Sequence, residues 1–187
     1  MRRDCGLALE HTAPGVRDEP GRKGCLAVPP NRDYGALMRN YAEAELQIAA
    51  VLDGEPNLTA RLATVSCILH NMFDEFFWTG FYMVDPDKPD ELVVGPYQGT
   101  LGCLRIAFGR GVCGTAAQTR QTQIVRDVHV FPGHIACDPN SQSEIVVPVF
   151  DGETLIGVMD IDSAAIGTFD QSDADALERI AAMITAS

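Results

Sequence analysis

The sequence predicts an α+β fold, with one antiparallel sheet of about six strands flanked by helices. Three observations carry this expectation. Apolar residues recur at helical spacing in two runs near Tyr41 and Leu62. They alternate in short runs through the middle, and they return to helical spacing after Phe169. The period thus switches from about 3.6 residues to 2 and back, which separates helices from strands. A length of 187 residues suits one domain with a sizeable core and is too short for two comfortable ones.

Residues 1–32 stand apart. They hold Pro14, Pro20, Pro29 and Pro30 with no apolar period, and six basic against four acidic residues. A flexible extension is expected there, with the folded domain over 33–187. Asp4, Glu10, Asp18 and Glu19 count against an organellar presequence. In "YGALMRNYAEAELQIAAVLDG", Leu37, Tyr41, Leu46, Ile48, Val51 and Leu52 predict a first helix, stopped by Gly54 and Pro56. Asn57 caps a second, "LTARLATVSCILHNMFDEF", whose stripe is Leu58, Leu62, Val65, Ile68, Leu69, Met72 and Phe73. Cys67 falls among these core positions and is expected to be inert. His70 reads as a partly buried structural residue.

"FFWTGFYMV" then reads as a strand, "DPDKPD" as a turn and "ELVVGPY" as a second strand ending at Pro96. "CLRIAF" is a third strand, "GRGVCGTAAQTRQ" a glycine-rich start to a helix, and "TQIVRDV" a fourth strand. The polar loop 125–143 is the natural lid. "EIVVPVF" and "TLIGVMDID" form a hairpin, where Asp151-Gly152 favours a type I′ turn. "FDQSDADALERIAAMI" closes the chain as a helix capped by Ser172 or Asp170.

Composition removes several function classes. A net charge of −12 disfavours nucleic acid and anionic membrane surfaces, and no apolar run is long enough to span a membrane. No secretory leader is expected, because Asp4, Glu10 and His11 interrupt the first residues. A reducing cytoplasm is therefore the expected compartment, where cysteines are buried, metal-bound or catalytic.

Cys103, Cys113 and Cys137 are separated by nine and 23 residues, so no C-x-x-C metal clamp is present and no metal is expected. Downstream come Glu144, Asp160 and Asp162. Thiols with carboxylates, and no metal-ligand spacing, point to redox chemistry on a small polar molecule. Asp160 and Asp162 lie two apart on a strand and share one face with Val158, with Ile161 opposite. Their mutual repulsion raises at least one pKa and keeps a proton available. Trp78, Gly80 and Tyr82 share a side by the same rule. Cys137 sits on the long loop, where a sulfur can be exposed. Cys113 sits in the first turn of a helix, whose dipole would lower its pKa. On spacing alone the two are rival nucleophiles. His134 is expected to pack or solvate the loop rather than assist Cys137.

Four motifs taken in order, "GRGVCGTAA", "HIACD", "SEIVVPV" and "GVMDIDS", resemble the free methionine-(R)-sulfoxide reductases, which are stand-alone GAF domains. The resemblance spans roughly Tyr34 to Met183. The first 32 residues fall outside it, and "FFWTGFYMV" departs from the commoner "NWVGFY" while keeping Trp78 and Tyr82. It implies a GAF fold and reduction of free methionine-(R)-sulfoxide to methionine. It implies Cys137 as the attacking thiol, Cys103 as the preferred resolving thiol and Cys113 as a third, alternative reductant. Substrate contacts would fall to Trp78, Tyr82, Glu144, Asp160 and Asp162. No bound cofactor, thioredoxin as external reductant and, often, a homodimer are implied as well. The chemistry requires protonation of the sulfoxide oxygen, thiol attack to give a sulfenic acid, and a second thiol to form a disulfide. The alternative is a ligand-sensing GAF module without catalytic activity, in which the three cysteines have no purpose.

Overall fold

The computed structural model describes residues 39–135 and 138–186. The expected extension over 1–32, the start of the first helical run and Cys137 lie outside the described residues. Helix α1 spans Tyr41–Leu52; the side chain of its N-cap, Asn40, accepts from the Glu43 amide at 3.1 Å. Its buried face is Tyr41, Ala44, Ile48 and Leu52, at spacings of three and four. Leu46 and Val51, expected in that stripe, fall on the other side and are 69% and 57% exposed. Helix α2 spans Leu58–Met72, capped by Asn57 as expected, and buries Leu62, Val65, Ser66 and Leu69. Cys67 sits one position past that stripe and is exposed, which corrects its expected place in the core. His70 is half-buried, as the sequence suggested.

The strands are β1 (Trp78–Asp85), β2 (Lys88–Gln98), β3 (Arg105–Ala107), β4 (Gln123–Val125), β5 (Ser143–Asp151) and β6 (Thr154–Ser163). Helix α3, Gly111–Thr119, lies between β3 and β4, and α4, Gln171–Thr185, closes the chain. All pairings are antiparallel, in the order β3-β2-β1-β6-β5-β4. The α+β class and the six strands agree with the sequence pattern.

Three local features differ from expectation. Strand β2 runs through Pro96 rather than ending there. Tyr82 pairs with Val94 and Gly80 with Tyr97, so β2 carries an extra residue around Gly95–Pro96. A bulge tolerates proline because no ladder hydrogen bond is required of it. The third strand is shorter than "CLRIAF": Cys103 and Leu104 precede it in the loop. In the last hairpin Asp151 pairs with Thr154, so the turn residues are Gly152 and Glu153. Only Gly152 has positive φ, at 56°. That is the pattern of a type II′ turn, one residue later than the expected type I′.

Alternation gives the sheet two buried faces. Phe81, Ile145, Val147, Val149, Met159 and Ile161 pack against α1, α2 and α4. Trp78, Tyr82, Val146 and Val158 pack on the other side with Val112, Cys113, Ala116 and Ala117 of α3. Each fully buried large apolar side chain contributes about 1.5–3 kcal/mol relative to exposure. Helix α4 starts with a capping box: Asp170 accepts from the Ser172 amide, and Asp173 accepts from the Asp170 amide, both at 2.8 Å. Asp173 also takes Arg39 Nη1 at 2.7 Å and Tyr41 Oη at 2.8 Å, tying the start of α1 to the start of α4.

Candidate active site

The site lies on the α3 side of the sheet, and strand register builds it. Asp162 is paired with Trp78 on β1 and with Glu144 on β5, while Asp160 is paired with Gly80 and Val146. Because side chains alternate, Trp78, Tyr82, Glu144, Asp160 and Asp162 project to one face, and Ile161 projects to the core. Helix α3 lays its first turn over them. Cys113 Sγ lies 3.8 Å from Glu144 Oε1, and one donor atom each of Cys113, Glu144 and Asp160 lies within 4.8 Å of the others. All three residues are more than nine-tenths buried.

The aromatic wall is stacked. Trp78 lies 5.8 Å from Tyr82 and 5.1 Å from Tyr97, centroid to centroid, with interplanar angles of 19° and 15°. A Cβ at residue 102 would sit 2.9 Å from Tyr82 Oη and 3.2 Å from Trp78 Cζ2, so the backbone next to Cys103 approaches the rings closely only because residue 102 is glycine. Trp78 Nε1 donates to the Thr100 carbonyl at 3.0 Å, and Thr100 Oγ1 donates to Asp138 Oδ2 at 2.6 Å. These two bonds connect the indole to the loop before β3, and that loop to the long loop. Asp138 also accepts from the Asn140 amide at 2.7 Å. Both donors hold its carboxyl below the usual range. His134, Ile135, Asp138 and Ser141 complete the lining from the long loop, over a cavity of about 30 Å³. Cys103 is engaged in a disulfide, whereas Cys67 and Cys113 are free thiols.

Burial dominates the electrostatics. It pushes Glu144 and Asp162 well above the ordinary carboxyl range, reinforced by the negative charge of Asp160. Asp160 is raised less, to about 6, because contacts with Cys113 and Glu144 offset part of its desolvation. Burial and mutual repulsion therefore oppose simultaneous ionisation of the three carboxyls. Oδ1 of Asp160 is buried without a hydrogen-bond partner. Burial also raises the Tyr82 phenol and lowers the His134 imidazole. His134 Nε2 stands 3.8 Å from Glu144 Oε2. Both shifts, the imidazole down and the carboxyl up, disfavour the charged forms that an ion pair here would need.

One electrostatic expectation is reversed. Cys113 is in the first turn of α3, but its pKa is raised well above that of an ordinary thiol, first by burial and then by Asp160 and Glu144. A helix terminus contributes about 0.3–1 kcal/mol at an exposed site, too little against full desolvation beside a carboxylate. Of the residues singled out in the sequence, Trp78, Tyr82, Cys113, Glu144, Asp160 and Asp162 line one cavity, with Cys103 next to Gly102 at its edge. Cys137 lies outside the described residues. Gly102, Ser141 and the Thr100–Asp138 link were not anticipated. The Asp-Pro-Asn turn signal at 138–140 was the available clue to Asp138.

A GAF-domain family model matches residues 62–186. The chain belongs to the GAF-domain family. It is 44% identical to a free methionine-R-sulfoxide reductase of Escherichia coli over 144 residues, covering 77% of this chain and 86% of the relative. It is 47% identical to GAF domain-containing protein A of Dictyostelium discoideum, covering 78% of this chain and 90% of the relative. The structure of a free methionine-R-sulfoxide reductase from Neisseria meningitidis with its substrate is similar at 46% identity and a TM-score of 0.74, covering 78% of this chain and 86% of that one. The GAF assignment accounts for a six-stranded sheet with helices on both faces. Among the described residues, no helix is long and apolar enough to cross a membrane.

Proposed function

We propose that this GAF domain reduces free methionine-(R)-sulfoxide to methionine, using Cys137 as nucleophile, Cys103 as resolving thiol and thioredoxin as the external reductant. The observation that carries this reading is the lone buried carboxylate oxygen of Asp160, unpartnered beside Glu144 and Asp162, whose pKa values burial raises. A free amino acid supplies what that oxygen lacks, an ammonium donor. The stacked indole and phenol offer a face to the S-methyl group, a contact worth about 0.3–1.5 kcal/mol. A protonated carboxyl gives its proton to the sulfoxide oxygen, making sulfur electrophilic.

The thiol of Cys137 then attacks that sulfur. The thiol proton returns to the carboxylate, the substrate S–O bond breaks as the oxygen passes to Cys137 as a sulfenic acid, and methionine leaves as the thioether. The thiol of Cys103 condenses with the sulfenic acid, releasing water and forming a disulfide. A thioredoxin dithiol reduces that disulfide by exchange. The disulfide engagement of Cys103 supports its place in this cycle. Cys113, buried and held protonated, suits hydrogen bonding to the carboxyl cluster better than attack. A cavity of about 30 Å³ holds little more than water, so the lining that His134, Ile135, Asp138 and Ser141 supply must shift for an amino acid to enter.

NADPH oxidation coupled through thioredoxin reductase and thioredoxin tests the reading. Turnover is expected with free methionine-(R)-sulfoxide, with far less on the S epimer or the N-acetylated substrate. Equal rates on the free and N-acetylated forms would overturn the assignment of an ammonium site. Tight binding of the sulfoxide without turnover would instead favour a sensor module.

A further inference from the structure

We propose that the base of this cavity is also a binding site for a zinc-class divalent cation, held by Cys113 Sγ, Asp160 Oδ1 and an oxygen of Glu144. One donor atom from each residue lies within 4.8 Å of the other two, and all three residues are more than nine-tenths buried. In tetrahedral zinc coordination a sulfur and an oxygen ligand stand about 3.5 Å apart, given Zn–S and Zn–O lengths of about 2.3 and 2.0 Å. The observed separation of Cys113 Sγ and Glu144 Oε1 is 3.8 Å, so a small rotamer adjustment closes the pair on an ion. Asp160 Oδ1 points to a ligand independently, since it is buried with no protein partner.

The donor set selects the metal. A thiol with two carboxylates disfavours magnesium and calcium, which take oxygen ligands, and favours zinc or cobalt. Three anionic donors around a dication leave one negative charge, and binding displaces the protons that burial favours on the thiol and the carboxyl. His134 offers a further donor, its Nε2 3.8 Å from Glu144 Oε2, and the cavity of about 30 Å³ has room for an ion. The sequence shows no metal-ligand spacing because the donors come from α3, β5 and β6. The ion is an inhibitor rather than a cofactor, because the groups it occupies are those assigned to the substrate ammonium and the proton. That consequence rests on the proposed function; the binding site itself does not.

Cobalt titration of the full-length chain, with no added reductant so that the Cys103 disulfide persists, tests the site without any sulfoxide. The expected result is a near-ultraviolet thiolate-to-cobalt charge-transfer band saturating at one metal per chain and displaced by zinc. Cys113→Ser should lose the band, Asp160→Asn should bind at least tenfold more weakly, and Cys67→Ser should match the wild type. Absence of the band, its survival in Cys113→Ser, or unweakened binding by Asp160→Asn would each overturn the proposal. Because no turnover is measured, such a failure is separate from failure of the reductase reading.

Discussion

The two faces of strands β1, β5 and β6 are built from alternate residues of the same segments, yet they solve opposite problems. On one side Phe81, Ile145, Val147, Met159 and Ile161 meet three helices and form an apolar core. On the other, one residue along each strand, Trp78, Tyr82, Glu144, Asp160 and Asp162 lie under α3 around a cavity. Apolar burial stabilises the first face. The second buries three carboxyls and a thiol, with one carboxylate oxygen unpartnered. The contrast teaches that the large apolar face can support the unfavourable desolvation of the small polar one. Substitutions on the two faces should therefore move stability and activity in different directions.

The largest effect on stability is expected on the core face. Phe81→Ala should destabilise by about 3–5 kcal/mol in chemical denaturation, while kcat/KM per folded molecule stays within about twofold. A parallel collapse of activity in the folded fraction would show that the faces are not separable.

On the site face Asp160→Asn should do the reverse. Loss of a charge-assisted contact worth about 1.5–3 kcal/mol predicts a ten- to hundredfold fall in kcat/KM, carried mainly by KM. Stability should rise. The folded-state pKa of Asp160 is raised to about 6 from an ordinary 3.8. The folded state therefore binds the proton more tightly than the unfolded chain does. Wild-type stability from this group falls as pH rises from 3.8 through 6, then levels off. The gap corresponds to about 3 kcal/mol. Thermal denaturation should thus show Asp160→Asn gaining on the wild type between pH 4 and 7. A gap that shrinks over that range would contradict the burial argument.

Smaller effects sharpen the site assignment. Cys103→Ser should release about one methionine per chain in a single turnover yet fail to turn over with thioredoxin; undiminished steady-state turnover would move the resolving role elsewhere. Gly102→Ala should weaken substrate binding by pushing on Tyr82 and Trp78, read as a rise in KM. Cys67→Ser should change neither stability nor rate measurably, since Cys67 is an exposed thiol on the far side of the core helices.

Much of this contrast was legible in the sequence because period two is a rigid rule. Alternation alone puts Val158, Asp160 and Asp162 on one face and Ile161 on the other, and puts Trp78 with Tyr82. Helix faces were less secure: in α1 the small Ala44 takes the buried position that Leu46 was expected to fill, because position on the face outweighs side-chain size. The sign of the Cys113 shift was not legible. Its helix-start position is visible in "GRGVCGTAA", but the carboxyls that bury and oppose it come from β5 and β6, and Glu144 is 31 residues away. The turn at Gly152 falls one residue later than expected and β2 runs past its expected end at Pro96, because cross-strand register, rather than local turn preference, sets both.

The central claim is that Cys137 performs the reduction over a cavity that holds a free amino acid. The most direct test mixes chemically reduced protein with free methionine-(R)-sulfoxide in the absence of thioredoxin and counts methionine released per chain. Wild type should release about one equivalent and lose its Cys103 thiol to a disulfide. Cys137→Ser should release less than about a tenth as much in the same time, a barrier increase above roughly 1.4 kcal/mol. Release by Cys137→Ser at the wild-type rate would contradict the account.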